Sequence, residues 1–413
     1  MNYLWLKMFT ENFFNLLLNF ENDWVVKRVE TDFIKGEIQL HIECLAKQIE
    51  DDETGYICSV YDYAPERIWR HLDTMQYKTF IVCRLPRITT KAGKVKTINP
   101  GWASGYDRHT YLFEHAVIDL LKACKNQTKT AELMRCGFNV VNRILHLCTE
   151  RGMERRTHEA LNFSHLSLDE KSFRKGHQYI SVLSHPASGC VLDVEEDRTK
   201  ESCERLLNKS LTKDQQENVA TISMDMWKAY INGAKEKLPQ AQIVHDRFHL
   251  VKYLNDAIDK VRRREVKQHE ELKSSRYVFL KNQENLTEKQ RIKFETIRDT
   301  NYEVSKAWQV KENFKDMFSS NIKAGFSLYH QWASYSQRLK IAEVTKVVEM
   351  FNNHIKGVVN ALVTNYSNAM AERLNGKIQE LKSIAKGYRT FANFRSAILF
   401  FHGGLSLYPL NSW

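Results

Sequence analysis

Three carboxylates stand where a phosphodiester could be cut. Asp169 closes one apolar run, Asp225 closes another 56 positions later (225 minus 169), and Glu372 lies on an amphipathic segment near the C-terminus. Hydrolysis and transesterification at phosphorus need an activated oxygen nucleophile, a stabilised leaving oxygen and neutralised charge. Two divalent cations roughly 3.5–4 Å apart meet all three needs, and their hardness calls for several carboxylate ligands. The expected ions are two Mg²⁺ (or Mn²⁺), with Asp169 bridging both, Asp225 holding one and Glu372 the other. Water is then the first nucleophile and a freed 3′-hydroxyl the second. Taken singly, each acid has an ordinary explanation, because Asp after a strand caps turns and helices and Glu in a first helical turn complements the helix dipole. Glu170 competes with Asp169, but alternation along a strand puts it on the opposite face.

The elements around the acids decide between these readings. Leu166–Asp169, Tyr179–Ser184 and Cys190–Val194 read as consecutive antiparallel strands, with turns at Gly176 and at Pro186–Gly189. A helix follows with Cys203, Leu206, Leu207 and Leu211 on one face, then a strand over Val219–Met224 that delivers Asp225. Trp227, Tyr230, Ile231, Ala234 and Leu238 form the buried stripe of the next helix, which Pro239 ends. Gln242–His245 is a last short strand before a helix carrying Val251, Leu254, Ile258 and Val261. The order βββαβαβα is that of an α/β, ribonuclease H-like catalytic domain, in which the first and fourth strands are neighbours. That topology sets Asp169 beside Asp225 and favours the catalytic reading of the acids.

Residues 262–362 are charged and helical, with Tyr302, Trp308, Phe314, Phe318, Phe326 and Trp332 among Lys and Glu, and read as an α-helical insertion in that fold. The catalytic domain is therefore expected in two parts, 161–261 and 363–413. The last helix starts at Ser367 or Asn368 and turns Met370, Leu374, Ile378 and Leu381 inward, leaving Glu372, Asn375 and Gln379 on its polar side. Ahead of the catalytic part, residues 1–104 read as a small β-rich domain, with Thr79–Cys83 as one strand and Pro65, Pro86, Gly93, Pro100 and Gly101 as breakers. Its basic run, Arg84, Arg87, Lys91, Lys94 and Lys96, is read as a solvated loop. Residues 105–160 are helical. Phe113, Val117, Leu120 and Leu121 share one face, and Ala131, Leu133 and Met134, a turn at Gly137, then Val141 and Ile144 outline a helix-turn-helix.

Lys+Arg 61 against Asp+Glu 50 gives a net charge of +11 and a pI near 9.1, which favours a polyanionic partner, nucleic acid first, over an acidic small substrate; on charge alone plain solubility explains the excess equally well, and double-stranded DNA is the partner expected once the motifs are added. Phosphate contacts are expected where basic residues flank the acids: Lys171, Arg174 and Lys175 after Asp169, and Arg373, Lys377, Lys382, Lys386 and Arg389 after Glu372. Arg262 and Arg263 form a third cluster, and Asn139, Asn142 and Arg143 open the second helix of the helix-turn-helix. His245-Asp-Arg-Phe-His249 offers two histidines at i and i+4, but His245 ends a strand and no third ligand beyond Asp246 is near, so zinc is not expected. Asp246, His249 and Asn375 are accessory candidates at the acid site. Eight scattered cysteines without a CxxC pair argue against a disulfide framework and for a reducing cytoplasm. The apolar stretch Phe13–Phe20, broken by Asn15 and Asn19, is too short to cross a bilayer.

Longer motifs extend the picture. Leu168-Asp-Glu-Lys-Ser-Phe-Arg-Lys-Gly-His-Gln-Tyr179, Ser223-Met-Asp-Met-Trp-Lys-Ala-Tyr230, His245-Asp-Arg-Phe-His-Leu-Val-Lys252 and Ser367-Asn-Ala-Met-Ala-Glu-Arg-Leu-Asn-Gly-Lys-Ile378 resemble the bacterial DDE transposases of the ISL-three (ISL3) insertion-sequence family. Trp69-Arg-His-Leu-Asp73, Val261-Arg-Arg-Arg-Glu265 and Gly403-Gly-Leu-Ser-Leu-Tyr-Pro409 carry the likeness over nearly the whole chain. The resemblance implies Asp169, Asp225 and Glu372 as the acidic triad, terminal inverted repeats and target DNA as partners, and at least a homodimer on two DNA ends in a bacterial nucleoid. Two departures stand out. Cys58 lacks the CxxC partner of the relatives' zinc ribbon, with Thr89-Thr90 near the place of its later ligands, and Arg373 replaces the Gly that many relatives carry after the glutamate.

Overall fold

The computed structural model describes residues 3–20, 23–104, 107–159, 161–174, 178–281, 285–298, 300–319, 324–364 and 369–409. The chain divides into two compact units, Met1–Arg156 with Leu405–Trp413, and Thr157–Gly404. Strands and helices occur in both.

The first unit opens with α1 (Tyr3–Leu18), which the sequence reading did not anticipate. Its Phe14 and Leu18 are buried while Phe13, Leu16 and Leu17 face water, so only one side of its apolar C-terminal half is covered. Eight short strands follow: β1 (Trp24–Asp32), β2 (Glu37–Cys44), β3 (Gln48–Glu50), β4 (Ile57–Tyr63), β5 (Arg67–Arg70), β6 (Lys78–Cys83), β7 (Pro86–Thr89) and β8 (Val95–Thr97). They make two four-stranded sheets, β1-β2-β6-β5 and β3-β4-β7-β8. The first buries Leu40, Ile42, Trp69 and Ile81 with Trp102 against α1. In the second, Arg87 pairs with Asp62, and the Lys96 ammonium lies 3.0 Å from Asp51 and 2.9 Å from Glu53 and also pairs with Asp52. These two basic residues brace a sheet instead of forming a free loop.

Three helices complete the unit: α2 (Tyr111–Cys124), α3 (Gln127–Leu133) and α4 (Phe138–His158). Thr110 and Asn126 cap α2 and α3 with their side chains, as their hydroxyl and amide favour. Val141, Ile144 and Leu145 of α4 are buried with Ala131 and Met134, whereas Leu133 is exposed.

The second unit is built on one five-stranded mixed sheet: β9 (His165–Arg174), β10 (Gln178–His185), β11 (Cys190–Glu196), β12 (Thr221–Met224) and β13 (Gln242–His245). Their order across the sheet is β11-β10-β9-β12-β13, antiparallel through β9 and parallel between β9, β12 and β13. Between β11 and β12 lie α5 (Lys200–Ser210) and a single short turn, α6 (Lys213–Glu217), absent from the sequence reading; α7 (Lys228–Lys237) joins β12 to β13, and α8 (Arg247–Glu265) leaves β13. Leu166, Leu168, Leu183, Leu206, Leu207, Ile222 and Tyr230 form a core between the sheet and the α5 and α7 helices. Trp227, expected in the buried stripe of α7, is the exposed N-cap residue of that helix, because the helix begins one residue later and its first turn lies at the rim of the sheet.

Beyond α8 the chain stays helical: α9 (Arg276–Leu280), α10 (Glu288–Arg298), α11 (Glu303–Asp316), α12 (Gly325–Arg338), α13 (Ala342–Asn353) and α14 (Ile355–Val363). Trp308, Phe314, Tyr329, Trp332 and Phe351 fill their common core together with Leu254, Ile258 and Val261 of α8. Then come α15 (Ala369–Ile384) and α16 (Phe391–His402). Leu374, Ile378 and Leu381 of α15 are buried, and Phe394 of α16 stacks on Phe173 of β9 with ring centroids 5.3 Å apart. The expected cap residues Ser367 and Asn368 lie outside the described residues, as do Lys175 and Gly176.

Candidate active site

Register places the two aspartates. Thr221, Ile222 and Ser223 of β12 pair with His165, Leu166 and Ser167 of β9. That offset is 56 (223 minus 167), the same as the interval between Asp169 and Asp225, so each aspartate lies two residues beyond the last paired position and at the same level. Neighbouring strands run roughly 4.7–4.9 Å apart. β12 stops at Met224, which leaves Asp225 at the C-terminal edge of the sheet.

Alternation separates Asp169 from Glu170. Leu166 and Leu168 point into the core against α5 and α7, and Glu170 shares their parity; it pairs with Arg198, just ahead of α5, at 2.8 Å. Asp169 has the parity of Phe173, which meets α16, and its Oδ2 accepts a hydrogen bond from the Asn375 side-chain amide of α15. Its Oδ1 accepts from the Glu170 backbone N–H at 2.7 Å, which fixes the other oxygen.

Glu372 is three residues before Asn375 on α15. Although the residue is exposed, its carboxyl is held above the ordinary glutamate range, first by partial desolvation and then by the charges of Asp246 and Asp169, with His249 acting in the opposite direction. Glu372 thus sits in the field of one acid in the middle of β9 and another just after β13, although it comes from a helix some 200 residues further along (372 minus 169 is 203).

The first turns of α8 supply the rest. Asp246 is buried and caps α8 by accepting from the Phe248 backbone N–H at 2.9 Å. His249 bridges two acids, its Nδ1 3.4 Å from Asp225 and its Nε2 3.8 Å from Asp246. Tyr253 directs its hydroxyl at both oxygens of Asp225, at 3.3 and 3.4 Å. Burial and the Asp225 charge push the phenol up to about 12, so it remains a donor at neutral pH. The sequence reading missed Tyr253. Its signal is the i+4 spacing from His249, which puts it on the same helical face. His245 has a different role: it is buried, burial lowers its pKa to about 4, and its ring packs 5.6 Å from that of His354.

The donors are hard oxygens with one imidazole beside them, a set that suits a divalent cation, and the acids repel one another where no cation offsets them. Among the described residues no group of three or more His, Cys, Asp or Glu is closed into a shell that could hold an ion. The acids share a field and hydrogen-bond partners rather than a finished coordination sphere.

The basic residues are more dispersed. Arg174 donates to the Tyr388 and Arg389 carbonyl oxygens and covers the Phe173 ring at 4.6 Å. The Lys382 ammonium donates to the Ser172 carbonyl at 2.9 Å, and burial together with the Lys171 charge lowers its pKa. Arg373, Lys386 and Arg389 are exposed and Lys377 half-buried. Arg262 is largely engaged with Asp259, at 2.7 Å, while Arg263 reaches the same carboxylate at 2.5 Å from an exposed position. In α4, Asn139 and Arg143 are exposed, Asn142 is half-buried, and Arg143 pairs with Asp107.

A family model described as Transposase, of the ISL3 type of DDE transposase, matches residues 166–398, a span that holds all three acids. The chain is 27% identical over 365 residues to the transposase for insertion sequence element IS1557 of Mycobacterium tuberculosis, covering 81% of this chain and 82% of that protein. It is 24% identical over 377 residues to the transposase for insertion sequence element IS1001 of Bordetella parapertussis, covering 88% and 91% respectively.

Proposed function

The chain belongs to the ISL3 family of DDE transposases, and from that premise we propose that it binds the terminal inverted repeats of an insertion sequence and cuts and joins DNA through Asp169, Asp225 and Glu372. One observation carries this reading: β9 and β12 are paired so that Asp169 and Asp225 stand level, and the helix bearing Glu372 reaches Asp169 through Asn375. The 3-2-1-4-5 strand order, with a helical block between α8 and α15, supports a ribonuclease H-like catalytic domain split by an insertion.

Asp169, Asp225 and Glu372 would hold two divalent cations, Mg²⁺ or Mn²⁺. When bound, such ions activate the attacking oxygen and neutralise charge at phosphorus. The protein's own part is orientation. Asn375 holds one oxygen of Asp169 and the Glu170 N–H the other, Tyr253 fixes Asp225, and His249 spans Asp225 and Asp246. Lys171, Lys377, Lys382, Lys386, Arg373 and Arg389 supply phosphate contacts along the strand. The pair α3–α4 acts as the helix-turn-helix, offering Asn139, Asn142 and Arg143 at the start of its second helix. Two ends must be joined, so the working form is at least a homodimer on DNA. Among the described residues no helix is long and apolar enough to cross a membrane.

The test is a cleavage assay on the element's own end sequences with Mg²⁺ or Mn²⁺. Asp225→Asn abolishes cutting while end binding persists. Cutting by this variant at the wild-type rate refutes the assignment. Cut ends without strand-transfer products favour a nuclease that does not join DNA, and end binding without any cut by the wild type favours a DNA-binding regulator.

A further inference from the structure

β12 and β13 end level with each other, since Met224 pairs with His245. Each is followed by an aspartate, one intervening residue and an aromatic ring: Asp225-Met226-Trp227 and Asp246-Arg247-Phe248, which keep the strand offset of 21 (245 minus 224, 248 minus 227). Both rings are exposed, Trp227 at 42% and Phe248 at 54%. Trp69, Trp102, Trp308 and Trp332 are buried by contrast, whereas Phe13, Phe138 and Phe326 are exposed much as Phe248 is.

The surroundings of the rings narrow their use. Trp227 donates its indole N–H to the Arg198 carbonyl oxygen at 2.9 Å, so its one polar group is satisfied and what stays outside is π surface. The Arg198 guanidinium lies over that ring at 4.7 Å and over Tyr179 at 4.2 Å, and it pairs at 2.8 Å with Glu170, the neighbour of Asp169. The Trp227 ring is thereby anchored to both aspartate-bearing strands and has a cation beside it. Phe248 meets edge-on the ring of His249, which reaches Asp225 and Asp246.

We propose that Trp227 and Phe248 form a stacking rim for an unpaired nucleobase next to the phosphate that is cut. This rests on the reading of Asp169, Asp225 and Glu372 given above. Any base has a π face, so aromatic stacking holds a nucleotide without regard to sequence. In a duplex those faces are covered, and the rim engages a nucleotide only once it has left the stack. Arg198, whose charge Glu170 meets, keeps the Trp227 ring in place for such a base.

A double-mutant cycle between protein and DNA tests this with the full-length chain. The DNA is a duplex of the element's end in which each nucleotide flanking the cut is replaced in turn by an abasic residue. Losing one ring–base stack is worth about 5- to 150-fold, and because an abasic residue also spares the cost of extruding a base, the test is read from the coupling between the protein and DNA changes. Trp227→Ala loses a similar factor on intact DNA but less than about 2-fold further on the abasic duplex, and Trp227→Phe recovers much of the loss. Phe248→Ala behaves as Trp227→Ala does and carries the test by itself where the tryptophan variant does not fold. The cycle is read twice, as end-binding affinity in EDTA and as cutting rate in Mn²⁺. Coupling in binding with no cutting by the wild type keeps the rim and overturns the catalytic reading. Additive losses at every flanking position, in both readouts, overturn the rim.

Discussion

Arg395 of α16 forks onto Asp193 of β11, donating from Nε at 2.7 Å and from Nη2 at 2.8 Å to the two carboxylate oxygens. The Asp193 side chain is 1% exposed. Replacing Arg395 with Met leaves a buried carboxylate without its bidentate partner, a loss of about 3–5 kcal/mol in comparable sites. Two features reduce that figure: Lys209 stays 3.7 Å from Asp193, and the Arg395 side chain is 29% exposed, so water reaches part of the gap. The expected cost is therefore about 2–4 kcal/mol. Hydrogen–deuterium exchange on peptides spanning β11 and α16 measures it locally, without interference from the other unit, and predicts amide exchange about 30- to 1,000-fold faster. The effect reaches function because α16 closes the face of the sheet that meets α15, the helix carrying Glu372. Cutting of end DNA falls with it. Pairing Arg395→Met with Asp193→Leu restores most of the protection, since no charge is then left buried. Exchange less than about 5-fold faster in Arg395→Met, or no recovery in the double variant, refutes the reasoning.

Three further outcomes follow from the same geometry. The carboxyl of the exposed Glu372 is raised by partial desolvation and by Asp246 and Asp169, so its ionisation opposes folding: that contribution is absent below the ordinary glutamate range, grows between the ordinary and the raised value and is level above it. Glu372→Gln should melt higher than the wild type in EDTA at pH 7, with the gap closing toward pH 4, and should lose the Mn²⁺-dependent rise that the wild type shows; a lower melting point in EDTA contradicts this account. Tyr253→Phe removes the hydroxyl aimed at both Asp225 oxygens from 3.3 and 3.4 Å, distances that are long for such a bond. It should slow cutting about 3- to 10-fold with end binding unchanged, and a variant as fast as the wild type removes Tyr253 from the site. Gly357→Ala places a methyl 2.5 Å from the His245 ring, a fully packed position between α14 and β13, and should cost about 1–3 kcal/mol in thermal or urea unfolding; a neutral result shows that the ring can move aside.

Much of the second unit was legible because its strands and helices are short, regular and bounded by clear breakers. Leu166, Leu168 and Ile222 declare buried strands, and Leu206, Leu207, Tyr230 and Ile231 declare helices, since each element must bury one face and the periods of two and 3.6 record which. The interval of 56 that marked Asp169 and Asp225 is the register offset of two parallel strands, so a local pattern carried long-range information. α1 was not legible, because Lys7, Glu11, Asn12 and Asn15 interrupt its apolar residues, and the short stretch Phe13–Phe20 does not say which side of it will be covered. Trp227 was misplaced for a related reason: helical period assigns a residue to a face but not to the interior, and the rim of a sheet leaves an N-cap residue in water. Local sequence also could not reveal that Glu372 would share the field of Asp169 and Asp246, that Arg198 would bind Glu170, or that Tyr253 would face Asp225. Composition and periodicity thus determined which segments are strands and helices and where acids fall along them, because these follow from neighbours in the chain. Only the tertiary structure decided which carboxylates meet and which rings stay outside, because burial and electrostatic fields depend on residues brought together from far along the sequence.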